Sequence, residues 1–388
     1  MNKHLFLESI LNASSVVTND LIDEWVTRRN DPEKVLLPSD FDDTFRSIFD
    51  MNKDDPFGDA EDSILGYFNR RSNAKRIKIY RSAIKGNHTI KQIYVEGDSW
   101  YQHPLIKEIY DYVWQGLKHK NYAMYPSALG GDWILRIITE GKYIAELSNI
   151  SSDVILLAGG GNDLVGRQKL SNLIHVGRGH LLPDFQNVGE SALIAAINDH
   201  PLLGLWMQLK EDDLNSKQRQ DLLYSLTIFN KEFYAVMLLL QTIYKYLIHG
   251  IRQKFGSQKI IFHGYDYPIP SYRKGRGLNL KKLAVNLVTS NGHWLALALD
   301  QARVPVERQS AVTFSMIFIL NEMIINTVIH NEKFNDNVFF IDARGAAGHQ
   351  EKNWYDEMHV KPVIFKKIAA RFIECIESEQ SEQRVFRV

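Results

Sequence analysis

The sequence predicts an α/β protein with a parallel sheet, because short apolar runs alternate with helical segments from residue 90 onwards. The runs are rich in β-branched and aromatic residues, and several end at Gly or Asp, as buried strands do. They lie at 92–96, 122–125, 154–158, 259–263 and 338–341. Since crossovers between parallel strands are right-handed, helices are expected on both faces of the sheet, in three layers.

Helical patterns fill the spaces between these strands, at 104–117, 132–140, 233–254, 307–329 and 362–376. Pro104 suits a first helical turn, and Asp132 is a candidate N-cap. The stretch 166–258 is too long for one crossover, and we interpret it as an inserted helical region or lid. Its apolar stripe at 233–247 is expected to be core packing rather than a lipid-binding face.

Residues 1–89 form an N-terminal extension to a domain that spans 90–388. Acidic residues predominate in 20–62, and a basic stretch follows at 70–85. Such asymmetry is typical of solvated helix faces, of an acid–base contact within the segment or of a partner-binding arm. No chemistry is indicated here, so the role of the extension stays open.

The overall composition limits the possible partners. Among 388 residues, 46 are Lys or Arg and 46 are Asp or Glu, so no bulk charge favours nucleic acid or an anionic membrane. A single cysteine, Cys375, excludes an internal disulfide and a Cys-rich zinc site. Glu8 and Asn12 interrupt any signal-peptide core, and the longest apolar run, 233–240, is too short to span a bilayer. We therefore expect a cytoplasmic protein without a membrane span, with export that reads no cleaved signal as the alternative.

A candidate nucleophile follows the first strand. Gly97-Asp98-Ser99 stands where the strand ends, and ligand sites form at the carboxyl ends of parallel strands. The glycine permits a tight turn, and a serine just beyond it can expose its hydroxyl. These residue types are also common in ordinary turns, so the tripeptide alone is a weak signal.

The third strand runs into a glycine-rich loop, Gly159-Gly160-Gly161-Asn162-Asp163. Backbone amides and a side-chain amide can approach a ligand closely there. A phosphate loop is excluded, because no Gly-Lys-Ser/Thr follows and Leu164 stands where Gly-x-Gly-x-x-Gly requires its third glycine. The alternative is a helix-entry turn with Asn162 or Asp163 as its cap.

A carboxylate and an imidazole lie three residues apart after the fifth strand, at Asp356 and His359. A carboxylate at this spacing can orient the imidazole, which can then accept a proton from a serine at its other nitrogen. A surface turn is the alternative. The position between the last strand and the last helix places this pair on the same rim of the sheet as Ser99.

The ordered blocks Gly-Asp-Ser, Gly-x-Asn-Asp and Asp-x-x-His resemble those of the SGNH (GDSL-type) hydrolase family over about residues 90–375. The resemblance implies a flavodoxin-like sheet ordered 2-1-3-4-5. It also implies that Ser99 is the nucleophile, His359 the base and Asp356 its orienting acid. The oxyanion hole would comprise Ser99, Asn162 and a glycine of the family's second block, which stands here at 125–132, after the second strand. For this glycine we choose Gly131 over Gly130. Trp100 stands where the family often has Leu, and Val360 where Pro often follows the histidine.

The resemblance implies hydrolysis of a small-molecule, lipid or carbohydrate ester, without a cofactor or metal. A deacetylase, a lysophospholipase and a thioesterase would use the same site, so the sequence leaves them open. A non-catalytic binding module on the same scaffold is the alternative of a different class. Partner proteins bound through 1–89 or the insertion have no support in the sequence. The sequence contains neither a Gly-x-Ser-x-Gly elbow nor a His-Glu-x-x-His motif, which disfavours α/β-hydrolases and zinc proteases.

Overall fold

A computed structural model describes residues 1–27, 34–53, 55, 64–87, 89–103, 106–177, 191, 195, 214–271, 294–378 and 382–388. Within them, six parallel strands form one sheet in the order β2-β1-β3-β4-β5-β6. The strands are β1 Lys91–Glu96, β2 Tyr122–Pro126, β3 Ser152–Leu157, β4 Lys259–His263, β5 Val338–Asp342 and β6 Val385–Arg387.

The prediction of five strands in the order 2-1-3-4-5 holds for β1 to β5, but the total of five is wrong. A sixth strand, β6, pairs in parallel with β5, with Val385 opposite Phe340 and Arg387 opposite Asp342. It has only three residues, of which Phe386 alone is buried. Three residues are too few to show the alternation of apolar and polar side chains by which a strand is predicted from sequence.

Helices connect and precede the strands. The N-terminal ones are α1 Lys3–Leu11, α2 Asn19–Thr27, α3 Pro38–Ile48 and α4 Ile64–Ile84. The others are α5 Ile109–Leu117, α6 Ile134–Glu140, α7 Lys142–Asn149, α8 Gly161–Val165, α9 Ser216–Ile228, α10 Lys231–Phe255, α11 Ala296–Gln301, α12 Val306–Ile324 and α13 Pro362–Glu377. One π-helical segment, Ile325–Ile329, extends α12, and 3-10 segments lie at Gly166–Leu173 and Glu351–Asn353.

Two predicted helix starts are wrong. The helix expected from Pro104 begins at Ile109, and the one expected from Asp132 begins at Ile134. Asp132 is not the N-cap, which is Trp133; instead the Asp132 carboxylate accepts a hydrogen bond from the Trp133 N–H at 3.0 Å. Pro104 itself lies outside the described residues, and Asp132 belongs to the loop after β2 rather than to the first turn of α6.

The predicted insertion contains a core helix. Residues 231–255 form α10, and its apolar stripe is buried, which confirms the expectation of core packing at 233–247. Most of 178–213 lies outside the described residues, so the lid interpretation is not tested. The segment Val306–Ile329 is long and apolar enough to cross a membrane, but 89% of its most apolar window is buried in the protein, as in a core helix.

The N-terminal extension packs against the rest of the protein. Helices α1, α2 and α3 contact α10, α3 also contacts α6, and α4 contacts β2. A buried ion pair joins Asp23 on α2 to Lys245 on α10, and both side chains are at most 2% exposed. The extension therefore shares a core with the sheet-bearing region.

Candidate functional site

The turn that carries Ser99 requires a glycine before it. Gly97 has a φ of 146°, and a Cβ placed there would lie 2.9 Å from both the Cβ and the carbonyl oxygen of Ala158. The Asp98 carbonyl then accepts hydrogen bonds from the N–H groups of Tyr101 and Gln102, each at 3.1 Å. The resulting tight turn leaves Ser99 half-buried at the carboxyl end of β1.

Ser99, His359 and Asp356 form one hydrogen-bonded chain. The Ser99 hydroxyl lies 2.7 Å from Nε2 of His359. On the other side of the ring, Nδ1 lies 2.9 Å from each carboxylate oxygen of Asp356. The backbone N–H groups of Met358 and His359 donate to Oδ1 of Asp356 at 2.8 Å, which fixes the carboxylate. The three side chains thus have the relative arrangement that transfers a proton from serine to histidine.

The charges of this pair are mutually stabilising. Burial alone would raise the pKa of Asp356 and lower that of His359, because it disfavours charged forms. The attraction and hydrogen bond between the two groups outweigh burial, so the pKa of Asp356 is lowered and that of His359 is raised. Asp98 adds to the increase at His359.

Two aromatic residues to which the sequence analysis assigned no role stabilise the turn that carries Ser99. The hydroxyl of Tyr265, in the loop after β4, donates to Oδ2 of Asp98 at 2.5 Å and accepts from the Gly161 N–H at 3.4 Å. The indole N–H of Trp100 donates to the Met358 carbonyl at 3.3 Å. Trp100 therefore links the loop of Ser99 to the loop of His359.

Asn162 lies in the first turn of α8 and does not cap it. The side-chain amide donates to the Asp132 carbonyl at 2.8 Å, which joins the loop after β3 to the loop after β2. The capping carboxylate is that of Asp163, which accepts from the Gly160 N–H at 3.1 Å and also from the N–H groups of Ile134 and Leu135. Asp163 is fully buried, and burial raises its pKa to about 6.

The two glycines of the second block face different surroundings. The Gly130 carbonyl accepts from the Asn69 amide at 3.0 Å, and a Cβ on Gly130 would lie 2.5 Å from the Gln102 carbonyl oxygen. Gly131 has a φ of 83°, which favours glycine. Within the described part of the chain, the backbone N–H groups of Ser99 and Gly131 donate no hydrogen bond.

Glu357, between the two predicted triad residues, is a further functional candidate that the sequence analysis missed. It is buried, and its carboxylate accepts from the N–H groups of Ser271 and Leu295 at 3.0 Å and of Ala296 at 3.1 Å. It thereby holds two distant chain segments beside the loop of His359. The ring of Trp294 in the second segment lies 6.3 Å from that of His359.

The buried Glu96 directly precedes the turn that carries Ser99. Burial raises the pKa of Glu96 to about 7. The hydroxyls of Tyr94 and Ser127 each contact Glu96 at 2.8 Å and also contact Glu146. Each hydroxyl has one proton, so it can donate to only one of the two carboxyl groups at a time.

The arrangement brings a serine hydroxyl, an imidazole, a carboxylate and unbonded backbone N–H groups together on one edge of the sheet. Comparison with protein-family models gives no match, and a search of curated proteins finds no significant relative.

Proposed function

We propose that this protein is a serine-dependent ester hydrolase of the SGNH type, with the flavodoxin-like layering of that group. The observation that carries the proposal is the hydrogen-bonded chain from Ser99 through His359 to Asp356, with contacts of 2.7 and 2.9 Å. A serine hydroxyl at this distance from an imidazole nitrogen can transfer its proton as it attacks a carbonyl carbon.

The proposed reaction has two halves. Oγ of Ser99 attacks the ester carbonyl while Nε2 of His359 takes its proton; the imidazolium then protonates the leaving alkoxide, and an acyl-enzyme remains. His359 next takes a proton from water, which attacks the acyl carbon, and the proton passes back to Ser99 as the acid leaves. Asp356 holds one tautomer of His359 and stabilises its cationic form throughout.

Three donors are proposed for the oxyanion: the N–H groups of Ser99 and Gly131 and the side-chain amide of Asn162. An amide has two N–H bonds, and the one directed to the Asp132 carbonyl fixes the side chain while the other stays available. Hydrogen-bond donors that are held in position before the reaction stabilise the negative charge that develops on the carbonyl oxygen, because they need not reorganise during the reaction.

The same chemistry suits a deacetylase of sugars, a lysophospholipase or a thioesterase, so the substrate class is proposed only as a small-molecule, lipid or carbohydrate ester. A cytoplasmic location and the domain division at residue 90 are proposals of the same standing. A binding module without activity is the rival hypothesis, and the experiment below separates it from an enzyme.

Labelling by a fluorophosphonate probe tests the proposal, together with hydrolysis of a short p-nitrophenyl ester. The wild-type protein should react and turn over, while Ser99→Ala and His359→Ala should lose nearly all of both signals. Asp356→Ala should keep more residual rate, because it removes an orienting group rather than a reacting one.

Ser127→Ala is the matched control. Ser127 also follows a strand at this edge of the sheet, but its hydroxyl bonds to carboxylates rather than to an imidazole. It should be labelled like the wild type. Equal labelling of Ser99→Ala and wild type would refute the assignment, and an unlabelled, inactive wild type would favour the binding module.

A further inference from the structure

We propose that His103, His359 and Asp356 form a binding site for a divalent transition-metal ion of the zinc class, and that an ion bound there stops the reaction. The first part of the proposal, that these residues bind an ion, is argued from geometry alone. Only the second, inhibitory half, that the bound ion stops hydrolysis, rests on the proposed function.

The three side chains converge. One ligand atom from each can be chosen so that all three lie within 4.8 Å of one another. The rings of His103 and His359 have centroids 4.6 Å apart and planes inclined at 64°. Two ligands of one tetrahedral zinc ion, with bonds of about 2.1 Å, lie roughly 3.4 Å apart, so modest rotation of the side chains completes the set.

The donors match the ion. Two imidazoles and one carboxylate are borderline ligands that suit Zn²⁺, which binds three protein groups where an open fourth position is kept for water. Asp356 and His359 are each only 6% exposed, and burial strengthens their attraction for a cation. His103 is half-buried, and it provides the accessible side of the site.

Binding and proton transfer are mutually exclusive. A metal ion on Nε2 of His359 occupies the lone pair that must take the Ser99 proton. An ion on Nδ1 needs the lone pair of that nitrogen, so the ring proton moves to Nε2, which then has no lone pair to accept the Ser99 proton. In both arrangements the imidazole no longer acts as a general base.

Zinc chloride titrated into the metal-free protein by calorimetry tests the site, and the visible spectrum of the cobalt(II) complex reports on ligand geometry. The wild type should bind one ion per chain and show the absorption bands of tetrahedral cobalt. His103→Gln should weaken binding by roughly tenfold or more, since even a residue that only supports a ligand contributes 10–100-fold. His119→Gln is the control, because His119 is exposed and lies elsewhere.

Ser99→Ala should bind zinc like the wild type, since the serine is outside the ligand set. In hydrolysis assays, zinc should inhibit the wild type over the range in which it binds, and it should inhibit His103→Gln, measured against that variant's own zinc-free rate, only at correspondingly higher concentrations. Absence of binding, or equal binding by wild type and His103→Gln, would overturn the inference whether or not the protein hydrolyses esters. Zinc binding of the expected pattern in a protein without any hydrolase activity would overturn only the inhibitory half.

Discussion

At the scale of single residues, the charge on His359 decides when the proposed enzyme works. The imidazole must be neutral to accept a proton, and its pKa is raised above the ordinary 6.5 because Asp356 and Asp98 favour the cation. Activity should therefore fall as the pH drops through that raised value. The acid limb of kcat/KM, which reports the free enzyme, should have its midpoint above pH 6.5.

Asp356→Asn removes the main cause of the raised pKa of His359. The acid limb of kcat/KM should therefore move to lower pH in this variant, and the rate itself should be much reduced. The imidazole titration of Ser99→Ala, followed by NMR, gives the same pKa without catalysis. A limb that stays in place in Asp356→Asn would mean that a group other than His359 controls the rate.

Asn162 has one observed contact, to the Asp132 carbonyl, and one proposed role, as an oxyanion donor, and substitution separates the two. Asn162→Ala and Asn162→Asp both lose the bond to the Asp132 carbonyl, which should cost about 1 kcal/mol of unfolding free energy. Loss of an oxyanion donor should lower kcat by about 10²–10³-fold. Asn162→Asp should be the slower variant, because its charge opposes the oxyanion.

Melting temperature and kcat should be measured on the same preparation of each variant. If the folded fraction of Asn162→Asp hydrolyses esters at the wild-type rate, Asn162 only joins two loops.

Sequence reasoning at this scale predicted that Ser99, Asp356 and His359 lie together, because each stands within a recognisable block in a loop on the same rim of the sheet. It missed Tyr265 and Glu357. Their partners lie 167 residues away, at Asp98, and 61 to 86 residues away, at Ser271 and Ala296. No local sequence pattern predicts such contacts. From the sequence alone, Glu357 beside Asp356 resembles an ordinary surface residue.

At the scale of elements, α4 supports the second-block loop. Its Asn69 and Asn73 donate to the carbonyls of Gly130 and Ala128, at 3.0 and 2.9 Å, and Arg76 forms an ion pair with the buried Glu108. The basic stretch predicted as either a solvated face or a binding arm therefore includes an inward face. The periodic charges were visible in the sequence, but the loop that the amides would contact was not.

Asn73→Ala should leave a buried carbonyl without its donor, at a cost of about 1–3 kcal/mol. Because that carbonyl begins the loop of Gly131, we also expect kcat to fall while KM changes little. Lys75→Ala, on the exposed side of α4, should alter neither quantity. A lower melting temperature with an unchanged kcat would show that α4 only stabilises the fold.

At the scale of the whole molecule, the ion pair of Asp23 and Lys245 anchors the N-terminal helices to the central helix α10. Burial lowers the pKa of Lys245, and the adjacent Asp23 opposes this change. The Asn331 amide donates to the second oxygen of Asp23 at 3.0 Å, so the carboxylate joins three parts of the chain.

Asp23→Ala should destabilise the protein by about 3–5 kcal/mol in urea unfolding, because it leaves a buried cation without its partner. The double variant Asp23→Leu/Lys245→Met should recover much of that loss. Glu377→Ala breaks the exposed pair with Lys120 and should change stability by about 1 kcal/mol or less. If Asp23→Ala unfolds like Glu377→Ala, the pair does not anchor the extension.

The order of the first five strands was predictable because buried strands and right-handed crossovers leave few arrangements. The shared core of residues 1–89 was not, since it depends on a lysine within an apolar helix finding a carboxylate 222 residues away. Because both side chains are charged, the sequence alone would predict that Asp23 and Lys245 lie in solvent.

The contact between Trp294 and His359 gives the protein an intrinsic optical reporter. An imidazolium quenches the fluorescence of a neighbouring indole more strongly than a neutral imidazole does, and the two rings are 6.3 Å apart, nearly perpendicular. The difference in emission between the wild type and Trp294→Phe, recorded against pH, should trace the charge of His359 directly. The protonation state of the proposed base can then be followed by light emission, without substrate and in real time.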